Sequence, residues 1–202
     1  MRFCKLLLAT LVVAAALGTL VGAASARNLS LSHQTFRATY ANVEYQSSIA
    51  TVRCPLTIEG SFHRRTIVKT VGSLVGYITA AGHGACSAPG ATVLRETLPW
   101  HIRYASFVGT LPNVTGLNFS VIDYSVTIRD PFGSLCLIRS TATEPVTLAF
   151  TREGLTGISR ANLSGTLETA GAACNGLAVT IVGPSTSITV LNSATRITLT
   201  LI

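Results

Sequence analysis

An all-β domain is the fold class this sequence predicts, on three observations. Most of the chain after residue 26 alternates apolar with polar or small side chains, the period of a strand with one buried face. Thr, Val and Ile dominate those runs, and branched side chains suit a pleated surface. Gly, Pro, Asn and Asp punctuate the runs, as at Ala88-Pro89-Gly90, Leu111-Pro112-Asn113, Asp130-Pro131-Phe132-Gly133 and Gly183-Pro184-Ser185. Strands at roughly 8–12-residue spacing with turns between them predict a single-domain β-sandwich or a partly closed barrel, here of about 9–11 strands.

In chain order, residues 1–26 come first and stand apart. Arg2 and Lys5 precede an apolar run over 6–21, and Ala23-Ala24-Ser25-Ala26 follows. A basic start, an apolar middle and a small-residue end make a cleavable secretory signal peptide. Cys4 precedes the apolar run and so is not a lipid anchor. The expected domains are therefore a signal over 1–26 and one β domain over 27–202. No later stretch reaches the ~20 apolar residues that a helical membrane span needs, so the predicted location is extracellular or at the cell surface.

Strands are expected over 36–40, 49–58, 119–128, 146–150, 177–182, 187–191 and 196–202, each alternating. The last should be an ordered terminal strand. One segment breaks the period: Ile67, Val71, Leu74, Val75 and Ile78 recur at helical spacing, which predicts a short helix near 64–79. Two glycines and three valines there oppose a helix. The alternative is a pair of strands turning near Gly72-Ser73.

The apolar fraction is 48% and charged residues are 11%, a balance that excludes a disordered chain. The net charge of +7 comes mostly from scattered arginines, with one cluster, His63-Arg64-Arg65 and Lys69. A nucleic-acid footprint would need a dense basic stripe with interleaved aromatics, so no nucleic-acid partner is expected. The charge suits attraction to anionic envelope material.

Four cysteines follow the leader: Cys54, Cys86, Cys136 and Cys174. An even number in an oxidising compartment reads as disulfides. Cys54-Pro55-Leu56 opens a segment that closes in a small-residue turn at Cys86, and Cys136-Leu137-Ile138 opens one that closes in a similar turn at Cys174. The echo favours Cys54–Cys86 and Cys136–Cys174, although Ala/Gly-rich turns resemble one another by chance.

Catalytic motifs are missing. Paired metal ligands at zinc-site spacing do not occur; His83 lies three residues from Cys86 without a second pair, and no metal or cofactor is expected. Gly157-Ile158-Ser159-Arg160-Ala161 only approximates a nucleophile elbow. The eight acids, Glu44, Glu59, Asp123 and Glu168 among them, are dispersed, and a hydrolase would need two of them to converge. The best candidate binding segment holds Trp100, His101, Arg103 and Tyr104, since Trp, Tyr and Arg anchor binding surfaces. Alternation puts Trp100, Ile102 and Tyr104 on one face and His101 and Arg103 on the other, so the plainer reading is a core strand with a polar outer side. Sequons at Asn28, Asn113, Asn118 and Asn162 matter only in a eukaryote, and the arginine-over-lysine, alanine-rich usage fits a bacterial source.

Cys54-Pro55-Leu56-Thr57-Ile58-Glu59-Gly60-Ser61-Phe62, Leu98-Pro99-Trp100-His101-Ile102-Arg103-Tyr104, Gly109-Thr110-Leu111-Pro112 and the ending Ile197-Thr198-Leu199-Thr200-Leu201-Ile202 together resemble a group of secreted bacterial β-rich proteins of unknown function. The resemblance implies secretion and an all-β body, and no functional residue. The expected function is that of a disulfide-stabilised, non-enzymatic module that binds envelope material or another protein. The alternatives are a carrier with an apolar cavity inside a barrel, and an extracellular hydrolase using dispersed carboxylates.

Overall fold

Period-two alternation becomes strand throughout the computed structural model, which describes residues 28–87, 90–129, 133–171, 174 and 177–202. The segment read as a leader lies outside the described residues, as do parts of the turns at 88–89 and 130–132. The strands are β1 (Leu29–Leu31), β2 (Thr35–Gln46), β3 (Thr51–Phe62), β4 (Thr66–Ile67), β5 (Leu74–His83), β6 (Ala91–Val93), β7 (Trp100–Thr110), β8 (Asn113–Ile122), β9 (Ser125–Arg129), β10 (Leu135–Arg139), β11 (Val146–Glu153), β12 (Gly157–Ala170), β13 (Val179–Gly183), β14 (Ser187–Thr189) and β15 (Leu199–Leu201). Ten of them have five residues or more; the rest are two- or three-residue pieces.

Eight strands pair in a ring. β2 pairs β3, β3 pairs β5, β5 pairs β7 and β7 pairs β8. Then β8 pairs β11, β11 pairs β12, β12 pairs β13, and β13 returns to β2. Every pairing is antiparallel and ring order follows chain order, so the ring is an up-and-down barrel, which has no edge of its own. Register shifts bend it closed, among them those at Tyr40/Val43 and Glu59/Gly60. At the β3–β5 shift the two backbones come so close that a Cβ on Gly60 would lie 2.6 Å from the Tyr77 carbonyl oxygen and 2.7 Å from the Phe36 ring.

The helix expected near 64–79 does not form. That segment holds β4, a turn with Gly72 at φ +80°, and β5. The turn closes from Thr70 to Ser73 with Val71 and Gly72 at its centre, β4 and β5 lie in different sheets, and tertiary pairing overrides a five-residue helical pattern.

Apolar side chains point inward and fill the barrel. Phe36, Phe62, Phe119 and Phe150 meet at ring-centroid distances of 5.3–6.0 Å. Tyr40, Tyr45, Leu56, Trp100 and Ile181 are buried with them. Outward positions are polar: Thr35, Arg37 and Thr39 on β2, Thr57, Glu59 and Ser61 on β3, Asn162 and Ser164 on β12. A membrane barrel has an apolar outer band; this wall has the reverse arrangement. Among the described residues no helix is long and apolar enough to cross a membrane.

Connections alternate between the two ends. One end carries the β2–β3, β5–β7, β8–β11 and β12–β13 links, and there β10, β9 and β6 extend the sheet from the far part of β12. Two disulfides lie at this end, Cys54–Cys86 and Cys136–Cys174. The other end carries the β3–β5, β7–β8 and β11–β12 links and a small sheet, β15-β1-β4, which buries Leu29, Leu31, Ile67 and Leu199. The terminal strand expected over 196–202 is thus the short β15, paired with β1 outside the ring. Among the described residues all strand pairing lies within 29–201.

Candidate functional site

β7 sorts the sequence-nominated residues by alternation. Trp100 and Tyr104 point inward and are buried. The Trp100 indole donates to Thr97 Oγ1 at 2.9 Å and stacks at a tilt on Tyr124, centroids 4.6 Å apart. These two residues form core. His101 and Arg103 face outward, so the four residues do not make one surface.

The outward pair joins Asp123 and His63, named above only as a dispersed acid and as part of a basic cluster, and Tyr77, which the sequence did not mark. His101 Nδ1 donates to Asp123 Oδ2 at 2.6 Å, with both side chains about half exposed. Asp123 occupies φ +70° in the turn after β8, a backbone state that Asp tolerates better than most residues. Tyr77 on β5 lies opposite His101 in register, with their rings 5.4 Å apart, and His63 reaches Tyr77 at 5.1 Å. A strip His63–Tyr77–His101–Asp123 therefore crosses β5 and β7 on the outer wall, from the residue after β3 to the turn after β8. Arg103 stands two residues along β7, its Nε–H covered and without a hydrogen-bond partner. Flat rings beside a guanidinium can take sugars or carboxylates. Tyr77 was hidden by the helical reading of its segment, and Asp123 by the long alternating run around it.

A second polar cluster is internal. Tyr45 Oη lies 2.7 Å from His83 Nε2, Tyr45 and Tyr124 share a short hydroxyl contact, and His83 Nδ1 is 3.3 Å from the Ala91 carbonyl oxygen. The carbonyl can only accept, so Nδ1 carries the proton. Nε2 then accepts from Tyr45, and Tyr45 accepts from Tyr124. Burial pulls the His83 pKa down to about 4 and pushes the phenols of Tyr45 and Tyr124 up. The chain of bonds is neutral and pins the end of the barrel to the β6–β9–β10 extension. Burial also raises the Tyr40 phenol, with a smaller contribution from Tyr124.

Sulfur atoms of Cys54 and Cys86 and a ring nitrogen of His83 lie within 4.8 Å of one another. The sulfurs are bonded to each other, and metal ligation needs thiolates. These residues could hold a soft cation only after reduction.

Carboxylates pair with cations. Glu59 meets Arg37 at 2.6 Å, Glu44 meets Arg53 at 2.7 Å, Glu168 meets Arg139 at 3.5 Å and Glu153 meets Arg196 at 4.0 Å. Hydrogen bonds from Arg53 and Gln46 lower the Glu44 pKa. None of these is the pair of converging acids that glycoside hydrolysis uses. Comparison with known proteins found no matching family model, curated protein or solved structure.

Proposed function

We propose that this protein is a secreted or cell-surface module, stabilised by its two disulfides, that acts by contact rather than catalysis. One observation carries the reading: the barrel interior is occupied by the protein's own side chains, with four phenylalanine rings in mutual contact. An eight-stranded ring is just wide enough to be filled in this way. The space that a carrier would use is taken, which leaves the outside as the functional surface. The pairing of Glu44, Glu59, Glu153 and Glu168 with arginines favours the contact reading over a hydrolase built on those acids. The partner is envelope material or another protein. The outer strip His63–Tyr77–His101–Asp123, with Arg103, is one part of the contact surface.

Native mass spectrometry of the protein isolated from its host, before and after reduction, tests this. The expected result is a bare chain starting at Arg27 with both disulfides oxidised. A small molecule that leaves only on denaturation would restore the carrier reading. A hydrolytic activity abolished by His101→Ala or Asp123→Asn would replace the contact reading with an enzymatic one.

A further inference from the structure

Exposed apolar side chains are not spread evenly over this barrel. Val68 and Val71 in the β3–β5 connection, Leu74 at the start of β5, Val108 and Leu111 at the β7–β8 hairpin, and Leu155 at the β11–β12 hairpin are all exposed, Val71 by 75% and Leu155 by 89%. Up-and-down topology places those three connections at one end. Single exposed apolar residues are ordinary, but six on three neighbouring connections of one end form a set. Val68 and Leu74 also line one groove with His63 and Arg64, about 320 Å³ in volume.

The same end is cationic. Arg64, Arg65 and Lys69 share the β3–β5 connection, Arg152 is next to last on β11 and Arg196 precedes β15. Glu153 is the only acid in these segments, and it lies 4.0 Å from Arg196. Exposed apolar side chains and cations on connections of the same end match the two layers of an anionic membrane surface. The tips enter the acyl boundary while the arginines meet headgroup phosphates.

We infer that the hairpin end of the barrel docks on membranes rich in anionic phospholipid, inserting Val71, Leu111 and Leu155. This rests on the contact reading above and names its partner. The test is co-sedimentation of residues 27–202 with phosphatidylcholine vesicles, with and without phosphatidylglycerol, over a range of salt. Binding should require the anionic lipid and fall as salt screens the arginines. Val71→Asp and Leu155→Asp should each weaken it at least ~tenfold, since each removes an inserted apolar group and adds repulsion. Ile49→Asp, exposed on the β2–β3 turn at the far end, should bind like the parent and controls for folding. Absence of vesicle binding, binding indifferent to lipid charge, or equal loss in Ile49→Asp overturns the inference. So does capture by a soluble protein partner alone. None of these outcomes touches the contact reading, which fails only if the barrel retains a ligand or the protein proves to be a hydrolase.

Discussion

Tyr40 and Tyr45 share β2 and the barrel interior, and they differ in what their hydroxyls meet. Tyr45 is bonded to His83 and Tyr124, whereas the Tyr40 hydroxyl is buried without a hydrogen-bond partner. A buried unpaired hydroxyl costs ~1–3 kcal/mol. Tyr40→Phe should therefore leave stability unchanged or raise it by ~1 kcal/mol, and Tyr45→Phe should lower it by ~1–3 kcal/mol by stranding His83 Nε2. Urea unfolding of the two variants measures both. His83 adds a pH dependence. Its pKa is about 4 in the fold against 6.5 in the open chain, so between those values the unfolded state binds more protons. Stability should be full above pH ~6.5 and decline toward pH ~4, by up to ~3 kcal/mol. His83→Gln should flatten that slope in denaturant titrations at pH 4.5 and 7.5. The sequence announced Trp100, His101, Arg103 and Tyr104 by residue type. It also sorted them into faces by alternation, as the structure does. The partners Tyr77 and Asp123 arrive from β5 and from the turn after β8, and no local pattern marks them as partners of His101.

β5 shows how an element can be misread. Ile67, Val71, Leu74, Val75 and Ile78 fit a helical face, yet only Ile67, Val75 and Ile78 are buried, while Val71 and Leu74 are exposed. The signals against a helix were Gly72, which takes the positive φ of the turn, and Gly76, which adjoins the register shift against β7 and lies so close to β3 that a Cβ would sit 2.3 Å from the Ser61 carbonyl oxygen. Glycine at such an approach is a packing requirement that spans two strands. Gly60→Ala should force the Tyr77 backbone or the Phe36 ring aside and cost ~1–3 kcal/mol, read as a lower midpoint in thermal unfolding. At the chain's end, removal of residues 199–202 would take away the only partner β1 has besides the two-residue β4 and expose Leu29 and Leu31. The truncated protein should aggregate at concentrations where the parent stays monodisperse in light scattering.

For the whole molecule, the two disulfides and the ring divide the work. Each disulfide closes a long loop, with sequence separations of 32 and 38, and on the chain-entropy model is worth ~4 kcal/mol less any native strain. Both sit at the end away from the apolar rim, so Cys136→Ser with Cys174→Ser should lower stability by ~2–4 kcal/mol without changing vesicle binding at temperatures where the fold persists. Parallel melting and co-sedimentation curves check this. On the proposed reading, the filled interior gives rigidity and the cationic apolar rim makes the contact.

By itself the sequence determined the all-β class, the faces of most strands and the even set of cysteines that the fold joins in pairs. These properties follow from neighbours a few residues apart, where alternation and turn chemistry act. Tertiary structure alone decided that the strands close into a ring rather than stack as a sandwich, because closure depends on β13 meeting β2, more than 130 residues apart in the chain. It alone decided that residues 64–79 are strand, that Tyr77 and Asp123 flank His101, and that the apolar tips of three distant connections share one end. Pairing energy between strands far apart in the chain outweighs local propensity, and a local pattern carries no record of it.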